Sequence, residues 1–275
     1  MPHHGEGPDF IEALARGLTV LRAFSAECPR PTLTQVAAAS GLTRPTARRF
    51  LITLRELGYV RSADRGFELT PRVLELGMAY IGAQTLWDIA GPHLAALVAR
   101  TGESSSMSEL DGSDIVYTAR VAVPKIIGLR VEVGTRLPAV VTSQGKVLLA
   151  AMPLEEAAAA LTIPSRSRVR PWAEPAPGDL RDLLRQVRAQ GFAIADNELA
   201  PGVRSIAVPV RDATGRVRAA MNVTVNSAET EIRTLTGEYL PYLREAAAGV
   251  EADWVPWQSR PQSEMPERST APATS

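Results

Sequence analysis

Two groups of residues in this chain have the types and spacings that do chemistry. The first is a set of small polar side chains in apolar surroundings. Thr142, Ser143, Gln144 and Gly145 stand at the opening of an apolar run. Asp196 and Glu198 lie in Ala195-Asp-Asn-Glu-Leu-Ala-Pro-Gly, and Ser205, Asn222 and Thr224 interrupt stretches of Val, Ile, Ala and Met. Any one of them reads more readily as a cap or an edge residue. Taken as a set, they describe an apolar pocket with a few converging polar groups, the usual build of a small-molecule site. Thr142 and Ser143 open a predicted helix, whose first N–H groups favour negative charge, so a carboxylate is the expected ligand. The second group is basic: Arg44, Arg48, Arg49 and Arg55 with Thr43 and Thr46 in one helical stretch, then Arg61 and Arg65 just beyond. Arginine forks suit phosphate and guanine.

Catalytic chemistry is poorly represented. Ser143-Gln-Gly-Lys146 is formally S-x-x-K, but the K-T-G and S-D-N partners of penicillin-recognising serine enzymes are absent. There is no G-x-S-x-G, no strand-borne G-x-G-x-x-G and no Walker loop, and His93 is the one histidine away from the N-terminus. Cys28 is the only cysteine, which excludes internal disulfides and cysteine-rich zinc sites and fits a reducing cytoplasm. No cofactor, no metal and no enzymatic activity are expected. An enzyme acting on small acids, with the basic segment serving only for dimerisation, stays open as an alternative, and so does a module whose basic segment binds a protein partner.

The elements that must position these residues can be read from periodicity. Thr34 to Ser40 predicts a short helix, Gly41 a turn, and Thr43 an N-cap with Pro45 in the first helical turn. Ala47, Phe50, Leu51, Leu54 and Leu57 then share a buried face, Arg44, Arg48 and Arg55 fall opposite, and Gly58 ends the helix. That layout is a helix-turn-helix, although a plain αα-hairpin has the same period. Tyr59 to Thr70, turning at Ala63-Asp-Arg-Gly, predicts a hairpin in the position of a wing. Upstream, Leu14, Leu18, Leu21 and Phe24 predict one face of a supporting helix over Phe10 to Phe24.

From Pro71 the pattern predicts a linker helix to about residue 85, then a helix over Leu86 to Arg100 broken near Gly91-Pro92. Strands are predicted at Ser104–Leu110, Ile115–Val121, Lys125–Val133, Phe192–Ala195, Val203–Arg211 and Val217–Val225. Gly134-Thr-Arg-Leu-Pro reads as a loop, and Glu229 to Ala252 as a terminal helix. The fold class is therefore α+β: residues 1–9 disordered, a winged helix-turn-helix over 10–70, a linker helix over 71–85, and a second domain over 86–254. That domain is an antiparallel sheet flanked by helices, followed by a disordered tail over 255–275. Acidic and basic residues balance at 30 each, so any basic footprint must be local. No stretch is suited to a signal peptide or a membrane span, and a cytoplasmic location is expected.

On the stretches RGLTVLRAF, LRELGYV, FELTPRVLELG, GTRLPAVVTSQGKVLLA, QGFAIADNELAPGVRSIAVPV and AAMNVTV, the chain resembles the IclR family of bacterial transcription regulators from Phe10 to Ala252. The GTRLPA–TS–GKVLLA pattern is similar to the branch that regulates protocatechuate and p-hydroxybenzoate catabolism. The resemblance implies a winged helix that dimerises on an operator, a linker helix, and a GAF-like domain that binds a small carboxylic acid, in dimers or tetramers. It also implies that the acid meets Thr142, Ser143, Gln144, Gly145, Asp196, Glu198, Ser205, Asn222 and Thr224. Some members carry Ser where Asn222 and Thr224 stand; the larger Asn222 argues against the smallest 2-oxo acids. Arg44, Thr46, Arg48 and Arg49 are expected at bases or nearby phosphates, with Arg61 and Arg65 on the backbone.

Overall fold

A capping box at Thr32 starts the helix-turn-helix: the Gln35 side chain accepts from Thr32 N–H at 2.8 Å, and the Thr32 hydroxyl accepts from Gln35 N–H. The computed structural model describes residues 9–25, 27–76, 86–124, 131–173 and 180–258. It divides into two units, Met1–Gln84 and Thr85–Ser275.

The first unit holds α1 (Glu12–Arg22), α2 (Leu33–Ser40), α3 (Arg44–Glu56) and a hairpin of β1 (Val60–Ala63) and β2 (Gly66–Leu69). Gly41, at φ +67, closes α2 in the left-handed region that its missing side chain permits. Thr43 caps α3, with Pro45 in its first turn. Beyond α3, Tyr59 N–H returns to Leu54 O at 2.9 Å across Gly58, a Schellman-type stop. Val20, Phe24, Val36, Ala37, Ala47, Leu51, Leu54 and Val60 form the core. The predicted α1 face is corrected. Leu14 and Leu18 are 62% and 44% exposed, and Val20 is the fully buried residue; α1 meets α3 with Gly17 beside the Phe50 ring. Leu57 is also exposed, lying past the last helical turn. Gly66 lies so close to Pro31 that an added Cβ would come within 2.5 Å of its carbonyl oxygen, and this fixes the hairpin against the loop before α2. Thr70 then caps a short 3-10 turn, Pro71–Val73. Most of the predicted linker helix, residues 77–85, lies outside the described residues, as do residues 1–8 and 259–275.

The second unit contains α4 (Leu86–Thr101), β3 (Ser104–Asp111), β4 (Asp114–Val121), β5 (Arg136–Pro138), α5 (Ser143–Ala150) and α6 (Leu154–Thr162). It continues through α7 (Leu180–Gln190), β6 (Ala193–Asp196), β7 (Val203–Arg211), β8 (Val217–Asn226) and α8 (Leu240–Gln258). Its six strands are antiparallel, in the order β5-β4-β3-β8-β7-β6. Alternation splits each strand between two layers. Met107, Ile206, Val208, Met221 and Val223 pack with α4 and α8. Ala207 and Ala220 belong to the other layer, with α5 and α7, and their small side chains leave room for α5 to come close.

Three sequence readings change here. The helix over Leu86–Thr101 runs unbroken through Pro92, since Leu86, Ala90, Leu94 and Leu97 bury one continuous face that offsets the lost rung. The strand predicted over residues 125–133 falls largely outside the described residues, and 131–133 are not strand. The edge strand is Arg136–Pro138, read as loop, which pairs Val116 with Arg136 and Asp114 with Pro138. Proline is tolerated there because an edge strand needs no donor on its open side. The last helix runs to Gln258, so residues 255–258 are helix and not tail, with Trp254 packed on the core. His93 is paired with Asp253 at 2.8 Å, as a satisfied histidine.

Candidate functional site

The N-terminus of α5 is bolted down onto the sheet. Gly145 packs so tightly that a Cβ would lie 2.1 Å from Ala139 O, and Thr142 Oγ1 takes Gly145 N–H at 3.1 Å. The Gln144 amide donates to two sheet carbonyls, Ser106 O at 3.1 Å and Ala220 O at 3.0 Å. Ser143 Oγ meets Ser205 Oγ at 2.7 Å, and Asn222 Nδ2 donates to Thr224 Oγ1 at 3.0 Å. Between this helix end and the sheet lies a cavity of about 40 Å³, lined by Thr142, Ser143, Gln144, Ser205, Asn222 and Thr224 with Val131, Val141, Ala195, Leu199 and Val203. Six of the nine sequence-predicted effector residues therefore meet in one place.

Tyr117 and Arg120 complete the lining, and sequence reading missed both. Three positions apart, they would face opposite sides of a regular strand. The register slips between Met107 and Ser108: Arg120 pairs with Ser106, and Tyr117 pairs with Ser108, so Thr118 is the extra residue of a bulge. The Thr118 hydroxyl donates to Met107 O at 3.2 Å. The bulge turns both side chains to the cavity. Arg120 Nη1 donates to Ser106 Oγ at 2.8 Å, while Arg120 Nε has no partner and no carboxylate pairs with Arg120 among the described residues. Burial pulls the Arg120 pKa below its ordinary value and pushes that of Tyr117 up to about 12. Gln144 Oε1 and Asn222 Oδ1, on side chains 1% and 2% exposed, also lack partners.

Gly145, Asp196 and Glu198 are not brought to the cavity wall. Gly145 serves the close packing just described. Asp196 is held bidentately by Arg204, at 2.7 and 3.0 Å, and Arg204 reaches on to Ser227 O and Thr230 O. Glu198 takes Lys146 Nζ at 2.5 Å, and Lys146 also donates to Ile194 O. These pairs brace the loop that carries Leu199. They also undo the S-x-x-K reading, since the Ser143 hydroxyl faces Ser205 and Lys146 is taken by Glu198. No cluster of three or more His, Cys, Asp or Glu that could hold a metal occurs among the described residues.

In the first unit, Arg44, Arg48, Arg49 and Arg55 stand exposed on α3 and Arg65 at the hairpin turn, none with an acidic partner among the described residues. Thr43 and Thr46 are joined hydroxyl to hydroxyl at 2.9 Å, at the helix start. Arg61 is engaged: Glu68 takes it at 2.6 Å and takes Arg30, which sequence reading did not single out, at 2.8 Å. The hydrogen bond from Arg61 chiefly holds the Glu68 carboxyl below its usual pKa.

The family model for the IclR helix-turn-helix domain matches residues 13–64, and that for the bacterial transcriptional regulator IclR C-terminal domain matches residues 78–252. The chain belongs to the IclR family. It is 40% identical over 244 residues to the Pca regulon regulatory protein of Pseudomonas putida, covering 87% of this chain and 83% of that one. It is 34% identical to the p-hydroxybenzoate hydroxylase transcriptional activator of Acinetobacter baylyi, covering 90% and 94%. A crystal structure of an IclR homologue from Microbacterium hydrocarbonoxydans, complexed with 4-hydroxybenzoate, matches with a TM-score of 0.75 at 27% identity, covering 88% of this chain and 98% of that one. As an IclR-type protein this chain is a DNA-binding transcription regulator with an effector-binding C-terminal domain. No helix among its described residues is long and apolar enough to cross a membrane.

Proposed function

We propose that this IclR-family regulator controls genes of aromatic-acid breakdown and that its effector is a small aromatic carboxylic acid bound between α5 and the sheet. The observation that carries this reading is the set of buried polar atoms without partners, Gln144 Oε1, Asn222 Oδ1 and Arg120 Nε, around one cavity. Atoms of this kind cost about 1–3 kcal/mol each when left unpaired, so their convergence points to a polar ligand. The relatives named for the Pca regulon and for p-hydroxybenzoate hydroxylase, and the homologue holding 4-hydroxybenzoate, support the aromatic class. Thr142, Ser143, Gln144, Ser205, Asn222 and Thr224, with Arg120, contact the acid; Gly145, Asp196 and Glu198 shape the site.

In the first unit, α3 enters a major groove with Arg44, Thr46, Arg48 and Arg49 toward the bases, and Arg55, Arg61 and Arg65 hold phosphates. The protein acts in the cytoplasm as a homodimer on a roughly palindromic operator, and it catalyses no reaction. The effector shifts the population of operator-competent dimers. Fluorescence anisotropy on the DNA upstream of the protein's own gene and of neighbouring aromatic-acid genes tests this, at two salt concentrations, with and without 4-hydroxybenzoate and protocatechuate. Specific binding that weakens steeply with salt and is shifted by one of these acids is expected. Specific binding that neither acid shifts refutes the effector class, and the absence of specific binding refutes the operator reading.

A further inference from the structure

The cavity has two chemically different poles, and this inference rests on the reading that its ligand is an aromatic acid. Arg120 lies on β4. The Ser143–Ser205 hydroxyl pair lies over β7. The strand order β4-β3-β8-β7 puts three strand intervals, about 14 Å between backbones, between the two poles. We infer that the cavity holds its acid in one direction, with the carboxylate on Arg120 and a para hydroxyl against Ser143 and Ser205.

The poles differ in charge and in hydrogen-bonding capacity. Arg120 carries a full charge, is half-buried, and has no acidic partner among the described residues; one face of its fork, Nε, is unused. A carboxylate can supply the missing charge and accept from that fork. The α5 terminus offers about half a charge, and Thr142 already takes one of its free N–H groups. It is therefore the weaker anion site. The Ser143–Ser205 pair shares one hydrogen, so one hydroxyl hydrogen remains to donate, and both oxygens retain lone pairs. That combination suits a phenol hydroxyl, which donates and accepts, better than a carboxylate, which only accepts. Between the poles, Asn222 Oδ1 is a buried free acceptor with no hydrogen of its own to offer, so an anion placed there would be repelled. The direction thus selects length as well as charge: a ring substituted in line with its carboxylate reaches both poles, and a meta or unsubstituted ring reaches only Arg120.

Isothermal titration calorimetry on the full chain with 4-hydroxybenzoate, 3-hydroxybenzoate, benzoate and 4-hydroxybenzamide tests the direction. Wild type is expected to favour the acid over the neutral amide by about 100-fold or more. It should also favour the para hydroxyl over benzoate and the meta isomer by about fivefold, the weight of one hydrogen bond. Arg120→Gln should bring acid and amide to similar affinity, and Arg120→Lys, which keeps the charge but not the fork, should fall between. Ser205→Ala should erase the para preference and keep the acid preference. Thermal unfolding of each variant confirms that it is folded. If Arg120→Gln still prefers the acid, or if Ser205→Ala loses the acid preference, the direction is wrong while the aromatic-acid reading stands. If wild type binds none of the four compounds, both fall together.

Discussion

On α3, four arginines stand in water without acidic partners; under α5, the amide oxygens of Gln144 and Asn222 stand without partners and out of reach of water. The same word, unpaired, carries different weight in the two units. An exposed guanidinium stays solvated and loses little by waiting for a phosphate, whereas a buried amide oxygen has given up its water for nothing. A charged face is thus weak evidence of a partner, and it took the helix-turn-helix geometry to give it meaning. Buried orphans that converge on one cavity are stronger evidence. The contrast also divides labour: the arginines proposed to bind DNA carry little of the fold, and residues that line the cavity carry part of it.

Gly145→Ala should break the cavity side most severely. The added methyl would collide with Ala139 O and force α5 off the sheet, costing about 3 kcal/mol or more in denaturant unfolding and abolishing effector binding. Gln144→Ala removes both donors that bolt α5 to β3 and β8 and should cost about 1–3 kcal/mol of stability by the same measurement. Arg48→Ala should do the reverse: operator affinity falls by about 1–3 kcal/mol if it forks onto a guanine, while unfolding changes by less than about 0.5 kcal/mol. A variant of Arg48 that unfolds more easily, or one of Gln144 that does not, would break the comparison.

Tyr117 sharpens it through pH. Its pKa is raised in the folded chain from 10.0 to about 12 by burial, so the neutral phenol favours folding below pH 10. That stability is lost as pH rises from about 10 to about 12, and Tyr117→Phe should flatten this part of the stability profile. The smallest effect is expected at Glu68. Its carboxyl restrains two exposed arginines, and Glu68→Gln should tighten operator binding by no more than a few-fold at low salt. Weaker binding would show that the Glu68 pairs orient Arg30 and Arg61 for DNA instead of competing for them.

Legibility in the sequence follows from how local each feature is. The Thr43 cap with Pro45, the Gly41 turn, the Asp64-Arg65 hairpin and the Asp111–Asp114 hairpin depend on a few adjacent residues, and each stands where its turn chemistry put it. The cavity depends on the register of four strands. Ser143, Ser205, Asn222 and Thr224 could be suspected as polar residues in apolar runs, but Tyr117 and Arg120 are three apart, and alternation hides such a pair unless the bulge at Thr118 is known. Asp196 and Glu198 are expected at the ligand on sequence alone, and nothing in the chain shows that Arg204 and Lys146 will pair with them. The edge strand at Arg136–Pro138 is too short, and its proline too discouraging, to read as strand before its partner β4 is in place.

The most direct test of the cavity as effector site is amide hydrogen exchange on the full chain with and without saturating 4-hydroxybenzoate. The expected result is new protection in the second unit at residues 141–148, 117–121, 203–207 and 222–226, the segments that surround the cavity. Binding without protection in these segments, or protection confined to other parts of the second unit, would contradict the account.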